Sequence, residues 1–214
     1  MFMLVSTLAT EVRNNLSDQG VTFYTQTDIL DSLQDSCNQL VVRSGLIEKT
    51  VDINLQANVG YYDLSVLISD FYCVTQIYNN ASRQFLFPQI IPDYDAVRDD
   101  WETWTGSPRF FTPVDYRRIV VVPKPSTTSG SIKIYYKAIS PTLTLATDLS
   151  FPSDISKVPT DYATADLLEQ AREYSKASLT WRDANAGLGS AIKRTQVRAM
   201  PALVYRLRAM RYGY

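Results

Sequence analysis

A chain of 214 residues with 45% hydrophobic and 12% aromatic side chains can bury one mixed core or two smaller ones, and is too apolar to be a disordered segment. It has no histidine, which argues against most hydrolase and metalloenzyme chemistry, because His is the commonest general base and metal ligand. Its two cysteines, Cys37 and Cys73, are too few for a disulfide framework or a Cys-rich zinc site, and 21 basic against 22 acidic groups advertise no charged partner.

The N-terminus lacks the basic region and apolar run of a signal peptide, and no stretch approaches the roughly 20 apolar residues of a membrane span. The expectation is a soluble protein made in the cytoplasm. Leu4, Val5, Leu8 and Val12 recur at helical spacing until Ser17-Asp18-Gln19-Gly20 breaks the pattern. Thr25-Gln26-Thr27-Asp28 has capping-box spacing and opens a second helix through Ile29, Leu33, Cys37, Leu40 and Val41 to Gly45 as C-cap. Cys37 falls on that apolar stripe and reads as a small core hydrophobe. The period then changes to two: Ile47, Val51, Ile53 and Leu55 face one way, with Glu48, Thr50, Asp52 and Asn54 facing the other.

Strand-like runs follow over 61–68 and 71–78, and Asn79-Asn80-Ala81-Ser82 turns the chain into Arg83–Phe87 as a hairpin closed by Pro88 and Pro92. Tyr94, Val97, Trp101 and Trp104 predict a helix over 93–104, stopped by Gly106 and Pro108. Segments 109–112, 118–122 and 131–136 read as an antiparallel sheet, the last two separated by a loop from Pro123 to Gly130. Residues 140–160 have no period and read as a covering loop or crossover. From Asp161 onward Tyr162, Ala165, Leu168, Ala171, Ser175 and Leu179 form one narrow helical stripe.

The expected fold is α+β. A helical bundle is built from residues 1–45 and 158–190, an antiparallel β-sandwich or barrel-like lobe occupies 46–157, and an extended C-terminal arm spans 191–214.

No local pattern carries chemistry. Asp93, Asp95, Asp99 and Asp100 lack the calcium-loop pattern and read as a solvated helix face with two acids in the first turn. Gly187-Leu188-Gly189-Ser190-Ala191-Ile192-Lys193 has the wrong spacing for a phosphate loop and reads as a helix break or flexible joint. No serine or cysteine has an evident base, so no catalytic, metal or cofactor residues are assigned. Fourteen tyrosines suggest assembly, because Tyr buries a large area yet keeps a polar handle.

The clearest signal is charge asymmetry. Residues 183–214 hold Lys193, Arg194, Arg198, Arg206, Arg208 and Arg211 against Asp183 alone, a net +5, so residues 1–182 carry −6. The interleaved Tyr205, Tyr212, Tyr214 and aliphatic residues favour docking on an acidic protein surface over nonspecific phosphate binding.

The order Trp104, Gly106, Pro108, Phe110-Phe111, strand 119–122, Pro123, Pro125, strand 132–136 with Tyr136, and Pro141 resembles the head-to-tail adaptor proteins of tailed bacteriophages, including the tail tubular protein A type. The resemblance implies a structural virion protein with no catalytic role, made in the host cytoplasm. Such adaptors form rings, usually of twelve copies, below the portal protein, and extend the channel for genome ejection. It places portal binding on the arm, at Lys193, Arg194, Arg198, Tyr205, Arg206, Arg208, Arg211, Tyr212 and Tyr214. Contact with the tail or nozzle protein falls on β-lobe loops such as 79–82 and 126–130. An acidic body would let double-stranded DNA pass without sequence-specific contact, and no membrane partner is implied. Two alternatives are a β-sandwich module that binds carbohydrate through its tyrosines, and a nonspecific DNA-binding protein that uses the basic arm.

Overall fold

A computed structural model of the chain describes residues 3–18, 23–97, 100–115, 117–128, 130–149, 151 and 155–212, with the backbone alone described at 3, 97 and 194–212. Strand β1 (Met3–Leu4) runs into helix α1 (Val5–Leu16), whose Val5, Leu8 and Val12 are buried as their spacing predicts, with Ala9 beside them, whereas Leu4 of the expected stripe lies in β1 and is exposed. Ser17 ends it in the left-handed conformation at φ 56°. Gln19 and Gly20 of the expected break lie outside the described residues. Asp18 then accepts the Phe23 and Tyr24 N–H groups and pairs with Arg13.

Helix α2 (Gln26–Ser44) has the capping box its sequence announces. Asp28 N–H donates to Thr25 Oγ1 at 3.2 Å and Thr25 N–H to Asp28 Oδ2 at 2.8 Å. At its other end Gly45 sits at φ 62° and donates to Val41 O, the conformation that favours glycine at a C-cap.

The chain continues through β2 (Glu48–Asn54), β3 (Tyr61–Asp63), a helical turn α3 (Leu64–Leu67), β4 (Phe71–Asn79), β5 (Gln84–Phe85) and β6 (Phe87–Pro88). The single strand expected over 61–68 is cut short because the Asp63 carboxylate accepts the Ser65 N–H and hydroxyl and so caps α3. After α4 (Ile91–Val97) a 3-10 turn covers Trp101–Thr103, and β7 (Thr105–Gly106), β8 (Phe110–Pro113), β9 (Arg118–Val122), β10 (Lys124–Pro125) and β11 (Ser131–Ala138) follow. The helix expected over 93–104 is therefore two separate pieces.

These strands make two four-stranded sheets, ordered β2-β11-β4-β5 and β3-β9-β8-β6. All pairs in them are antiparallel except β6 with β8. Segments 118–122 and 131–136, read from sequence as one sheet, thus belong to different sheets. Ile53, Ile77, Ile132 and Ile134 of the first meet Tyr62, Phe111, Ile119 and Val121 of the second in one core. Both sheets stay open, so the lobe is a sandwich without barrel closure. The unbroken apolar run of β9 is explained by burial on both faces: Ile119 and Val121 enter the sandwich core, while Val120 and Val122 lie beneath Tyr94 and Trp101.

The chain closes with β12 (Asp148–Leu149), α5 (Lys157–Gln170) and α6 (Tyr174–Tyr212). Two compact units result, one of residues 1–46 and 140–214 and one of 47–139. The second crossing thus falls at 139/140 rather than at the expected 157. Residues 140–157 belong with the helices because β12 pairs with β1, Leu143 N–H donates to Gln34 Oε1 on α2, and Leu143, Leu149, Phe151 and Ile155 are buried.

Helix α5 packs against α1, α2 and α6, so it is buried on most sides although its sequence is polar. Thr160 donates to Lys157 O, Thr164 accepts from Asn15, and Ser32 of α2 donates to Ala163 O. The stripe expected to run unbroken past Ala171 is split by Arg172, held left-handed at φ 63°, which leaves Ser175 and Leu179 exposed on α6. Gly187 and Gly189 lie inside α6, not at a break, and the segment from 191, expected as an extended arm, is helix as far as Tyr212.

Candidate assembly surfaces

The residues from Trp104 to Pro125 that carry the adaptor resemblance form a clip in the β unit. β7 and β10 pair in parallel, Thr105 opposite Lys124 and Gly106 opposite Pro125. Lys124 N–H donates to Trp104 O at 2.9 Å, Ser126 N–H to Gly106 O at 3.3 Å, and Arg109 N–H to Val122 O at 2.9 Å. The Val122–Pro123 peptide is cis. Trp104 packs with Tyr94, Trp101 and Val122. The clip joins the hairpin turn through Asn79, which is fully buried: its Nδ2 donates to Pro108 O at 3.1 Å, and its Oδ1 accepts the Ala81 and Ser82 N–H groups.

The two loops expected to face the tail converge. Asn80 N–H donates to Ser131 O at 3.1 Å and its Nδ2 to Ser131 Oγ at 2.7 Å, which ties the 79–82 turn to the residue that follows the 126–130 loop. Turn residues in both loops signal their exposure, but only the register of β4 on β11 brings them together.

Tyr136 and Pro141 stand apart from the clip. Tyr136 Oη donates to Asp70 Oδ1 at 2.9 Å, and Lys49 Nζ reaches Asp70 Oδ2 at 2.5 Å. Burial, then the Asp70 carboxylate as hydrogen-bond partner and charge, push the Tyr136 phenol up to about 12. Burial alone would raise the Asp70 carboxyl, but the bonds from Lys49 and Tyr136 outweigh it and hold the group below its usual range. This triad ties β2, β11 and the turn before β4 together. Pro141 lies in the helical unit, where its carbonyl accepts from Gln34 Nε2 at 3.2 Å.

Of the acidic cluster, Asp95 accepts from Trp101 Nε1 at 2.8 Å and Asp93 lies in the first turn of α4. Asp99 lies outside the described residues. Among the described residues no three His, Cys, Asp or Glu side chains converge as metal ligands.

The expected portal-binding residues lie along α6, apart from Tyr214, which lies outside the described residues. Over 39 residues the helix is about 58 Å long at 1.5 Å per residue. Its first half packs on α5 through Ala177, Ala184, Leu188 and Ala191. Gly187 is needed there, since a Cβ would lie 2.7 Å from Val158 Cγ2. Beyond Lys193 the side chains of Arg194, Arg198, Tyr205, Arg206, Arg208, Arg211 and Tyr212 lie outside the described residues. At helical spacing, backbone positions 194, 198, 205, 208 and 212 share one face, and 200, 203, 207 and 210 the opposite one.

Sequence reading missed two features of the β unit. Phe87 and Ile90 are 56% and 60% exposed beside the β6 edge, and an apolar groove with Arg117 and Arg118 on its rim opens between the sheets. The adjacent Ile90-Ile91 and Arg117-Arg118 pairs were the only local signals. Among the described residues no helix is long and apolar enough to cross a membrane.

A family profile described as SU10 adaptor protein matches residues 3–208, both units and nearly all of α6. No curated protein matches the chain. The clip and the helical unit completed by α6 both lie within that match, and the chain belongs to the SU10 adaptor protein family, a structural protein of the phage head-to-tail adaptor kind.

Proposed function

We propose that copies of this chain assemble, as twelve in related adaptors, into a ring between portal and tail in the virion, where they extend the DNA channel and give the tail its platform. The observation that carries this reading is the family match from residue 3 to 208, which takes in the helical unit, the β insertion and the cationic helix together. Portal binding falls on residues 193–214, whose six cations face no acid after Asp183 and whose aromatic and aliphatic side chains suit a protein partner. Tail contact falls on the 79–82 and 126–130 loops. The −6 carried by residues 1–182 of each copy repels phosphate, so the duplex slides past on ejection instead of sticking.

The test is deletion of residues 193–214. The truncated protein should lose portal binding and fail to form rings with portal by electron microscopy, while keeping the circular dichroism of a folded chain. Portal binding at wild-type affinity would sink the assignment. The six cations of residues 193–214 also favour a second reading, nonspecific DNA binding. That reading requires the deletion to remove a duplex affinity whose logarithm falls with log salt at a slope of about −5 when all six cations engage.

A further inference from the structure

The start of β4, the end of β8 and the β8–β9 turn leave a groove of about 360 Å³ between the two sheets. Phe71, Val74, Pro113 and Ile119 make it apolar, and the half-buried Cys73 thiol lies in its lining. Of the rim charges, Asp115 and Arg118 neutralise each other at 2.7 Å. Arg117 donates its backbone N–H to Asp115, but its guanidinium meets no carboxylate among the described residues.

The same unit carries an apolar knob. Phe87 and Ile90 flank the β6 edge, and their backbone is pinned: Phe87 N–H donates to Arg109 O, Gln89 N–H to Phe111 O, and Thr112 Oγ1 to Gln89 O at 2.7 Å. Ile90 is 60% exposed, so it does not fill the groove of its own chain. Asp93, one turn on, is exposed and has no cation partner among the described residues. The knob therefore offers apolar area beside the Asp93 carboxylate, and the groove offers apolar area beside the Arg117 guanidinium, neither of them ion-paired among the described residues. Opposite charges beside matched apolar surfaces fix register and partner choice. Knob and groove are different patches, so the contact is heterologous and each copy can both give and receive, which is what a ring requires.

We infer that neighbouring copies join by seating Phe87 and Ile90 of one in the Phe71–Val74–Ile119 groove of the next, with Asp93 facing Arg117. The inference rests on the ring reading and names the surfaces that build the ring. Cys73 supplies the test, because the only other thiol, Cys37, is fully buried. Full-length Ile90→Cys protein is assembled with portal and treated with a short bismaleimide. A ladder of linked copies is expected on a denaturing gel, and Cys73→Ala in the same chain should abolish it. Arg117→Asp and Asp93→Arg should each lower ring formation at least tenfold, and the two together should restore it. Wild-type rings with no ladder and no charge-swap rescue overturn this contact while leaving the ring reading standing, and assign the groove to a different occupant. If the wild type forms no ring with portal, the ring reading fails and this inference falls with it.

Discussion

Asn79 ties the hairpin turn to the clip through one buried amide. Fully buried, it holds the 79–82 turn through its carbonyl and the Pro108 carbonyl through its amide. Asn79→Ala removes both partners at once and leaves a buried carbonyl and two N–H groups unpaired. The cost should be about 2–4 kcal/mol, read from denaturant unfolding; a loss under 0.5 kcal/mol, on the order of an ordinary surface substitution, would show that water replaces these bonds. Asp161 has the opposite character. Burial, with the charges of Asp183 and Glu11 opposed only by Lys157, raises its carboxyl above the usual range. Its folded value therefore exceeds its unfolded one, so ionised Asp161 lowers stability at neutral pH, and that cost disappears as pH falls through the folded value. Asp161→Asn should raise the melting temperature by about 1–3 °C near pH 7. The advantage should vanish in acid, where the wild-type carboxyl is also neutral, and a pH-independent difference would assign the gain to something other than charge.

Two glycines two residues apart in α6 separate helix propensity from packing. A Cβ at Gly189 meets nothing within 4 Å, whereas one at Gly187 would lie 2.7 Å from Val158 Cγ2. Gly189→Ala should stabilise by about 0.5–1 kcal/mol through propensity alone. Gly187→Ala has the same gain, but it overpacks against a buried, β-branched valine that cannot easily rotate, and should be destabilising by about 1 kcal/mol net. Adding Val158→Ala to Gly187→Ala should recover part of that loss in thermal melts; a stabilising Gly187→Ala would mean that α6 shifts off α5 freely. The sequence reading took both glycines for a joint because composition alone does not say which neighbour a glycine touches. Where the signal is local, as in the Thr25–Asp28 box and Gly45, the helix ends were legible residue by residue. Arg172 had no such signal, since nothing about an arginine announces a left-handed turn, and α5 hid its central place because its spacing shows one narrow stripe through Tyr162, Ala165 and Leu168, while the polar Thr160, Asp161 and Thr164 are buried as well.

At the scale of the chain, the change of period from 3.6 to 2 at Ile47 and the return of helical spacing at Asp161 made an interrupted helical unit readable from sequence, though not its second boundary, which falls at 139/140 because the aperiodic stretch after it pairs and packs with the helices. The division of strands between sheets was not, because neither β9 nor β11 carries a local mark of its partner strand and only long-range pairing separates them. The groove and knob were illegible for the same reason, being built from residues near 71–74, 87–93 and 113–119 that meet only after the sheets form. Each unit also carries one thiol of different standing, which makes the division measurable. Burial pushes Cys37 in the helical unit up to about 12, while Cys73 in the β unit is half-buried and is raised by desolvation against the opposing charge of Lys137. Native protein should therefore show one reactive thiol per chain to a small disulfide reagent, at a rate that climbs with pH as the Cys73 thiolate forms. Cys37 reacts only when the helical unit opens, which at an opening free energy of about 4–5 kcal/mol slows it by a factor of about 10³ or more. Cys37→Ala should erase the slow phase, and Cys73→Ala the fast one. Equal rates for both thiols in native buffer would mean that the helices around α5 open as readily as the groove does, and that the two units do not differ in protection.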